Sequence, residues 1–417
     1  MNSTDSSHKR TSGFRLLGPA FVAAVAYVDP GNVAANLSAG ARYGYLLVWV
    51  LVLANLMSVL VQYLSAKLGL ATGQSLPDVL GGRLRKPARI AFFLQAELIA
   101  IATDLAEVVG GAIALYLLFS LPLVVGGLIV GGVSMLLLHL QSGRATGERR
   151  FEVVITGLLL IITLGFIAGL FFSDISGTEL VSGLIPRFAD SNSILLAASM
   201  LGATVMPHAI YLHSSLTREH AHTTGADSPD SSVVHHRRLI RASRWDVLCA
   251  LFIAGSVNIG MLVLAAANLR GHDGTETIQG AHAAIAETLG PGIALIFAVG
   301  LLASGLASTS VGSYAGAEVL SGLLKVRPPL LVQRLITLVP ALVILAVGVQ
   351  PTFALVASQV VLSFGIPFAL IPLVVYTGRR SLMGQDVNNR VTQGLAWLAT
   401  ALIVALNVGL IVLTFTQ

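Results

Sequence analysis

Apolar stretches of about twenty residues recur along almost the whole chain, and ~20 residues of helix cross the hydrocarbon core of a bilayer. Inside lipid every backbone N–H and C=O must be paired within the protein, so only helices and closed barrels can span it. The period-two alternation of barrel strands is absent. The chain therefore reads as an all-α membrane protein. Eleven transmembrane helices are expected, roughly at 14–38, 44–71, 89–118, 121–139, 151–173, 193–217, 244–269, 291–322, 330–348, 352–377 and 391–415, with ends good to a few residues. Composition agrees: 55% of the residues are hydrophobic and 11% charged, against about 25% charged in a soluble domain.

Charge placement orients these spans. With the N-terminus in the cytoplasm, all of the 25 Lys and Arg except Arg42, Arg187 and Arg270 fall at or near the cytoplasmic side, as the positive-inside rule requires. An odd number of spans then puts the C-terminus outside the cell. The basic balance reports topology in the cell membrane and not a nucleic-acid partner. Cys249 stands alone, so no intrachain disulfide forms. Lys9, Arg10 and Arg15, followed by an apolar run through Ala24-Val25-Ala26, have the form of a signal peptide. The apolar run resumes after Asn32, so the segment reads instead as a first membrane helix. Residues 1–12 are expected to be a disordered cytoplasmic tail, and 13–417 one transmembrane domain. The polar connection 218–243, with His220, His222, His235 and His236, matches no closed zinc spacing and reads as a solvated linker. Asp174, Glu179 and Asp190 read as parts of a solvated outer loop.

Two spans are broken near their middles. The first contains Asp29-Pro30-Gly31-Asn32 and the sixth Met206-Pro207-His208. Proline removes a backbone donor and clashes with the preceding turn, and Gly-Asn weakens a helix further. The starts of these two helices lie five spans apart, so the second runs in the opposite direction. That is the pattern of two inverted five-helix repeats with discontinuous first and sixth helices facing each other across a site. Repeat one covers about 14–173, repeat two about 193–377, and an extra helix about 391–415.

The breaks carry ligand chemistry. Asp29 offers an anionic oxygen and Asn32 an amide oxygen, and unwinding frees nearby carbonyls such as those of Ala26 and Ala203. Met206 adds a thioether, which shifts preference from Mg²⁺ or Ca²⁺ towards softer transition ions. A methionine alone is usually core filling, but this one sits at a break opposite an intramembrane carboxylate, itself a costly and functional residue type. Gln359, at membrane depth in the tenth span, supplies a further oxygen or an interhelical hydrogen bond. On the third span, Glu97, Asp104 and Glu107 share one face, spread over about 15 Å. Such a stripe reads as a proton path or as structural ion pairs, and Arg334 is a candidate partner for Asp104. His208 at the second break and His213 five residues on are candidates for metal or proton binding.

The run Asp29-Pro30-Gly31-Asn32, with Gly202-Ala203-Thr204-Val205-Met206-Pro207-His208 and Tyr211-Leu212-His213-Ser214, strongly resembles the Nramp family of divalent metal transporters. The resemblance extends over essentially all the spans. It implies a leucine-transporter-like fold and metal ligands at Asp29, Asn32, Met206 and the Ala203 carbonyl, joined in some conformations by the Ala26 carbonyl and Gln359. It implies proton roles for Asp29, His208, Glu107, Asp104 and Arg334, with Glu97 farther along. The stretch Ala303–Gly316 is similar to the family's transport signature, but Leu306 and Ala317 stand where glutamine is usual. Relatives that move magnesium or aluminium lack the methionine, so Met206 argues against those cargoes.

The expected function is proton-coupled import of divalent transition metals, Mn²⁺ first and also Fe²⁺, Co²⁺ and Cd²⁺, by alternating access. Its partners would be the ions and protons it carries and the lipid bilayer, with no prosthetic group and no obligate protein partner. A sodium- or proton-coupled amino-acid carrier of the same fold is the alternative, although Asp29 would repel a substrate carboxylate. A metal sensor that does not transport is another. An intramembrane metalloenzyme is disfavoured, since no His-Glu-x-x-His pattern occurs.

Overall fold

The computed structural model describes residues 18–141, 145–223, 233–272, 274–326 and 329–416. The 1–12 tail, and the side chains of His222, His235 and His236, lie outside the described residues. Helices cover the described part of each expected span. The first break divides α1 (Pro19–Val25) from α2 (Pro30–Tyr43), joined by a 3-10 turn at Ala26–Val28. Then come α3 (Val48–Thr72), a short α4 (Leu76–Arg83), α5 (Lys86–Phe119), α6 (Leu123–Gln141), α7 (Ala145–Ile167) and a short α8 (Gly177–Ser182). The second break separates α9 (Ser191–Thr204) from α10 (Pro207–Thr223). After it follow α11 (Val233–Asn268), α12 (Ile278–Thr288), α13 (Pro291–Leu324), α14 (Leu330–Val347), α15 (Pro351–Thr377), a single turn α16 (Arg380–Met383) and α17 (Arg390–Thr416).

Among the described residues, eight helical stretches are long and apolar enough to cross a membrane. Pro19–Val28, Leu123–His139 and Leu331–Val347 are shorter apolar helices. Their ends follow local chemistry. Prolines occupy the first turns of α1, α2, α4, α5, α13 and α15, where a missing N–H costs nothing. Ser75 and Asp78 close a capping box on α4, and Asp190 and Ser193 close another on α9. Gly73, at φ +62°, ends α3 in the left-handed conformation.

One expectation about the connections is corrected. The segment 218–243 is not a solvated linker along its length: α10 carries Arg218 and His220 onward to Thr223, and α11 begins at Val233. Polar residues extend both helices beyond the apolar core, because a helix needs only its own backbone partners to continue into water. Arg218 shows what the extension does: it bonds Asp78 of α4 at 2.5 Å and Glu318 of α13 at 3.3 Å, tying three elements together.

Close approach between helices positions the site. On α13, Gly305 lies against Gly111 of α5, where an added Cβ would sit 2.9 Å from the Gly111 Cα. One residue earlier, Gly110 receives the ring of Pro30, so α5 seats the first break directly. Small residues at crossings are the usual device for membrane helices, which gain no hydrophobic drive from leaving lipid. The core is continuous from α1 and α2 through α5, α7, α10, α11 and α13.

Candidate metal site at two broken helices

An α-helical carbonyl accepts from the N–H four residues on. For Ala26 that residue is Pro30, and for Ala203 it is Pro207; neither has an N–H. Each proline thus removes the ordinary helical partner of one carbonyl, at equivalent places in the two breaks. Asp29 is extended (φ −72°, ψ 166°) and caps α2, and Val205 leaves the helical region at φ −100°, ψ 82°.

The two breaks meet through Asn32. Its Nδ2 donates to Asp29 Oδ1 at 2.6 Å and to the Ala203 carbonyl at 2.9 Å. Asp29 Oδ1 also accepts from the Asn32 backbone N–H at 2.8 Å. Thr204 gives its hydroxyl proton to the Met200 carbonyl at 2.6 Å and lies 3.5 Å from Asn32 Oδ1. Asp29 Oδ2 is buried without a protein partner. Gln359 of α15 is buried with both amide atoms unpartnered. Its amide lies directly over Gly31, whose own Cβ position would be 3.2 Å from Asp29 Oδ2. Met206 and Ala26 are fully buried at the two breaks. Asp29, Asn32, Ala203 and Gln359 are therefore brought to one place between α2, α9 and α15. Among the described residues no group of three or more His, Cys, Asp and Glu is positioned as a metal cage. The residues that meet there offer one carboxylate with neutral amide and carbonyl oxygens, unlike the many-carboxylate cages of Ca²⁺.

The unwound strand is braced by polar groups that sequence reasoning passed over. Asn258 of α11 donates Nδ2 to the Tyr27 carbonyl at 2.7 Å and accepts from Asn36 Nδ2 at 2.8 Å. Ser304 of α13 donates to the Val28 carbonyl at 2.6 Å. The available signal was an asparagine inside an apolar helix, a residue type that hydrogen-bonds across membrane helices. Likewise Asp246 of α11 accepts from the N–H groups of Gly18 and Ala20 at 3.2 and 3.0 Å, anchoring the start of α1.

The carboxylate stripe resolves into different environments. Asp104 forms an ion pair with Arg334, and both are buried. Thr309 donates to Asp104 at 2.5 Å, while Arg334 also bonds Ser134 at 2.9 Å and Thr309 at 2.9 Å. Glu107 is buried with both carboxylate oxygens unpartnered, against Gly312 of α13. Glu97 is half-buried and lines two cavities: one with Asp104, Gln333 and Arg334, the other with His208 and Tyr211. His213 stands apart from the stripe, its Nδ1 2.7 Å from Gln62 Oε1, while Gln62 Nε2 donates to the Tyr27 hydroxyl at 2.7 Å.

Comparison with known proteins identifies the family of the chain. Residues 20–413 match the model of the natural resistance-associated macrophage protein-like family. The chain is 58% identical to the divalent metal cation transporter MntH of Mycobacterium tuberculosis, over 96% of its own length and 92% of the relative's. The manganese transporter of Eremococcus coleocola superposes with a TM-score of 0.85 at 28% identity, covering 98% of this chain and 87% of that one. The nucleobase-cation-symport-1 transporter Mhp1 matches at TM-score 0.60 and 16% identity over 95% and 91%, a likeness of fold alone.

Proposed function

Because the chain belongs to the Nramp family, we propose that it imports divalent transition-metal ions, Mn²⁺ foremost and also Fe²⁺, Co²⁺ and Cd²⁺, together with protons. The observation that supports this reading is the Asp29 carboxylate joined through the Asn32 amide to the Ala203 carbonyl across two proline-broken helices, with Met206 buried at the second break.

The Asn32 amide explains how the site handles charge. Its Nδ2 bridges Asp29 Oδ1 and the Ala203 carbonyl, placing a partial positive charge where two oxygen ligands converge. A divalent ion takes that position. Half a turn of the amide exchanges Nδ2 for Oδ1, so Asn32 changes from a donor holding the ligands into a further oxygen ligand. Gln359 closes over the ion from α15, and Met206 disfavours hard ions that would have to lose a water for sulfur. Alternating access follows if the paired repeats rock about this fixed site. On the positive-inside reading the N-terminus is cytoplasmic, and an odd number of crossings carries the C-terminus outside. An inside-negative membrane potential then assists import by ~2.3 kcal/mol per charge per 100 mV.

Protons leave Asp29 by way of His208 and the third-span carboxylates. Glu107 lies next to the first break through the Gly110–Pro30 contact, and the Asp104–Arg334 pair and Glu97 continue towards the cytoplasm. His213 tunes this route only through the Gln62–Tyr27 chain. Proteoliposome uptake of Mn²⁺ with an interior pH dye tests the reading. Acidification accompanying uptake under an inward metal gradient is expected; Mn²⁺ entry with no acidification removes the proton from the mechanism.

A further inference from the structure

The second break opens on a cavity that the metal site does not use. Its walls include Gln95 and Glu97 from α5 and Pro207, His208 and Tyr211 from α10. Tyr211 is one helical turn beyond Pro207, on the side of α10 that leads away from the breaks. The cavity therefore lies on the side of the second break towards which α10 runs.

Its polar atoms are notable for what they lack. Gln95 Oε1, Glu97 Oε1, both ring nitrogens of His208 and the Tyr211 hydroxyl have no hydrogen-bond partner in the protein. His208 is 6% exposed and Tyr211 4% exposed, so neither side chain reaches bulk water. Buried polar groups are normally paired, and an unpaired group calls for an occupant. The donors are a carboxylate, an amide oxygen, an imidazole nitrogen and a phenol oxygen. Most are acceptors, which disfavours an anion. Among the described residues lining this cavity there is no Lys or Arg to compete for the Glu97 carboxylate; Arg334 lines the neighbouring one, where it is bonded to Asp104, Thr309 and Ser134.

We infer that this cavity is a second binding site for a divalent transition-metal ion, occupied after the ion leaves the site at Asp29. Glu97 supplies the anionic ligand and His208 a nitrogen ligand, with Gln95 and Tyr211 as oxygen donors. Imidazole with carboxylate suits Mn²⁺, Fe²⁺ and Zn²⁺ better than Mg²⁺. The residues earlier given to the proton route thus also receive the cargo, and the inference rests on the metal-transport reading.

The test is Mn²⁺ stoichiometry by equilibrium dialysis on the full chain in nanodiscs. The native protein should bind two ions, Asp29→Ala and Glu97→Gln one each, and the Asp29→Ala/Glu97→Gln double variant none. His208→Gln should lose the same ion as Glu97→Gln, and Tyr211→Phe should weaken it. Retention of one ion by Glu97→Gln serves as the check that the variant is folded. One ion in the native chain, retained in Glu97→Gln and lost in Asp29→Ala, overturns the second site while leaving the first. An ion that survives in the double variant overturns the assignment to Glu97, and no binding by the native chain overturns the transport reading itself.

Discussion

Gly31 gives the sharpest test of the metal site, because it is a backbone position whose substitution acts on another helix. A Cβ there would occupy the space of the Gln359 amide and come within 3.2 Å of Asp29 Oδ2. Gly31 is not among the residues with positive φ, so alanine fits its backbone. The overlapping atoms are the free end of a flexible side chain, so Gln359 swings away and the helices stay put. Overpacking therefore costs less than the usual 1–3 kcal/mol, and is partly offset by the roughly 0.5–1 kcal/mol that alanine gains over glycine in a helix. The thermal midpoint should shift by no more than about 2–4 °C. What is lost is one neutral oxygen beside a charged ion, worth about 1.5 kcal/mol, or roughly tenfold in affinity. Gly31→Ala and Gln359→Ala should each weaken Mn²⁺ binding by that factor, and the double variant should be no weaker than either. Isothermal titration on all three supplies the cycle. Additive losses, or an unchanged Gly31→Ala beside a weakened Gln359→Ala, would refute the placement of Gln359 over the site.

Three further outcomes follow from the same geometry. Met206→Ala should let Ca²⁺ and Mg²⁺ compete with Mn²⁺ uptake, at a stability cost of about 2–5 kcal/mol for a buried methionine; unaltered selectivity in a folded variant would sink the sulfur filter. Arg334→Ala should destabilise by about 3–5 kcal/mol, because Asp104 is left buried and unpaired, and adding Asp104→Asn should recover much of it in thermal unfolding. Asn258→Ala should release the Tyr27 carbonyl and weaken Mn²⁺ binding severalfold without touching the ion, at about 1–3 kcal/mol for the unpaired carbonyl; affinity equal to the native chain's would remove its bracing role.

Much of the fold was legible because lipid simplifies the problem: apolar length reports helices, and the two proline breaks mark themselves against an apolar background. The site was legible where a residue type was out of place, as with Asp29, Asn32 and Gln359. It was less legible where function depends on who touches whom. Asp104 and Glu107 are three residues apart on one helix face, yet one is paired with Arg334 and the other has no partner. Only the position of α14 separates them, and no periodicity on α5 encodes it. Asn258 and Ser304 were missed for a related reason: each acts on a backbone carbonyl, and backbone has no signature in sequence. The extension of α10 and α11 past the membrane escaped because polar residues end a hydrophobic signal without ending a helix.

Under the proposed function, the breaks also account for a single carboxylate among the ligands. A helix conceals its carbonyls, and exposing one in lipid ordinarily costs several kcal/mol. Here proline removes the partner of Ala26 and of Ala203, while Asn258 and Ser304 satisfy the Tyr27 and Val28 carbonyls that lie beside them. The Ala203 carbonyl in turn accepts from the Asn32 amide of the other break. In the proposed site neutral oxygens would do the work of further acids, with Asp29 as the one carboxylate among the ligands. Alternating access, as proposed, would carry the protein's own helices past the site once the ion had left. Two or three carboxylates at this depth would repel one another once vacated. One carboxylate, covered by the Asn32 amide at 2.6 Å, does not.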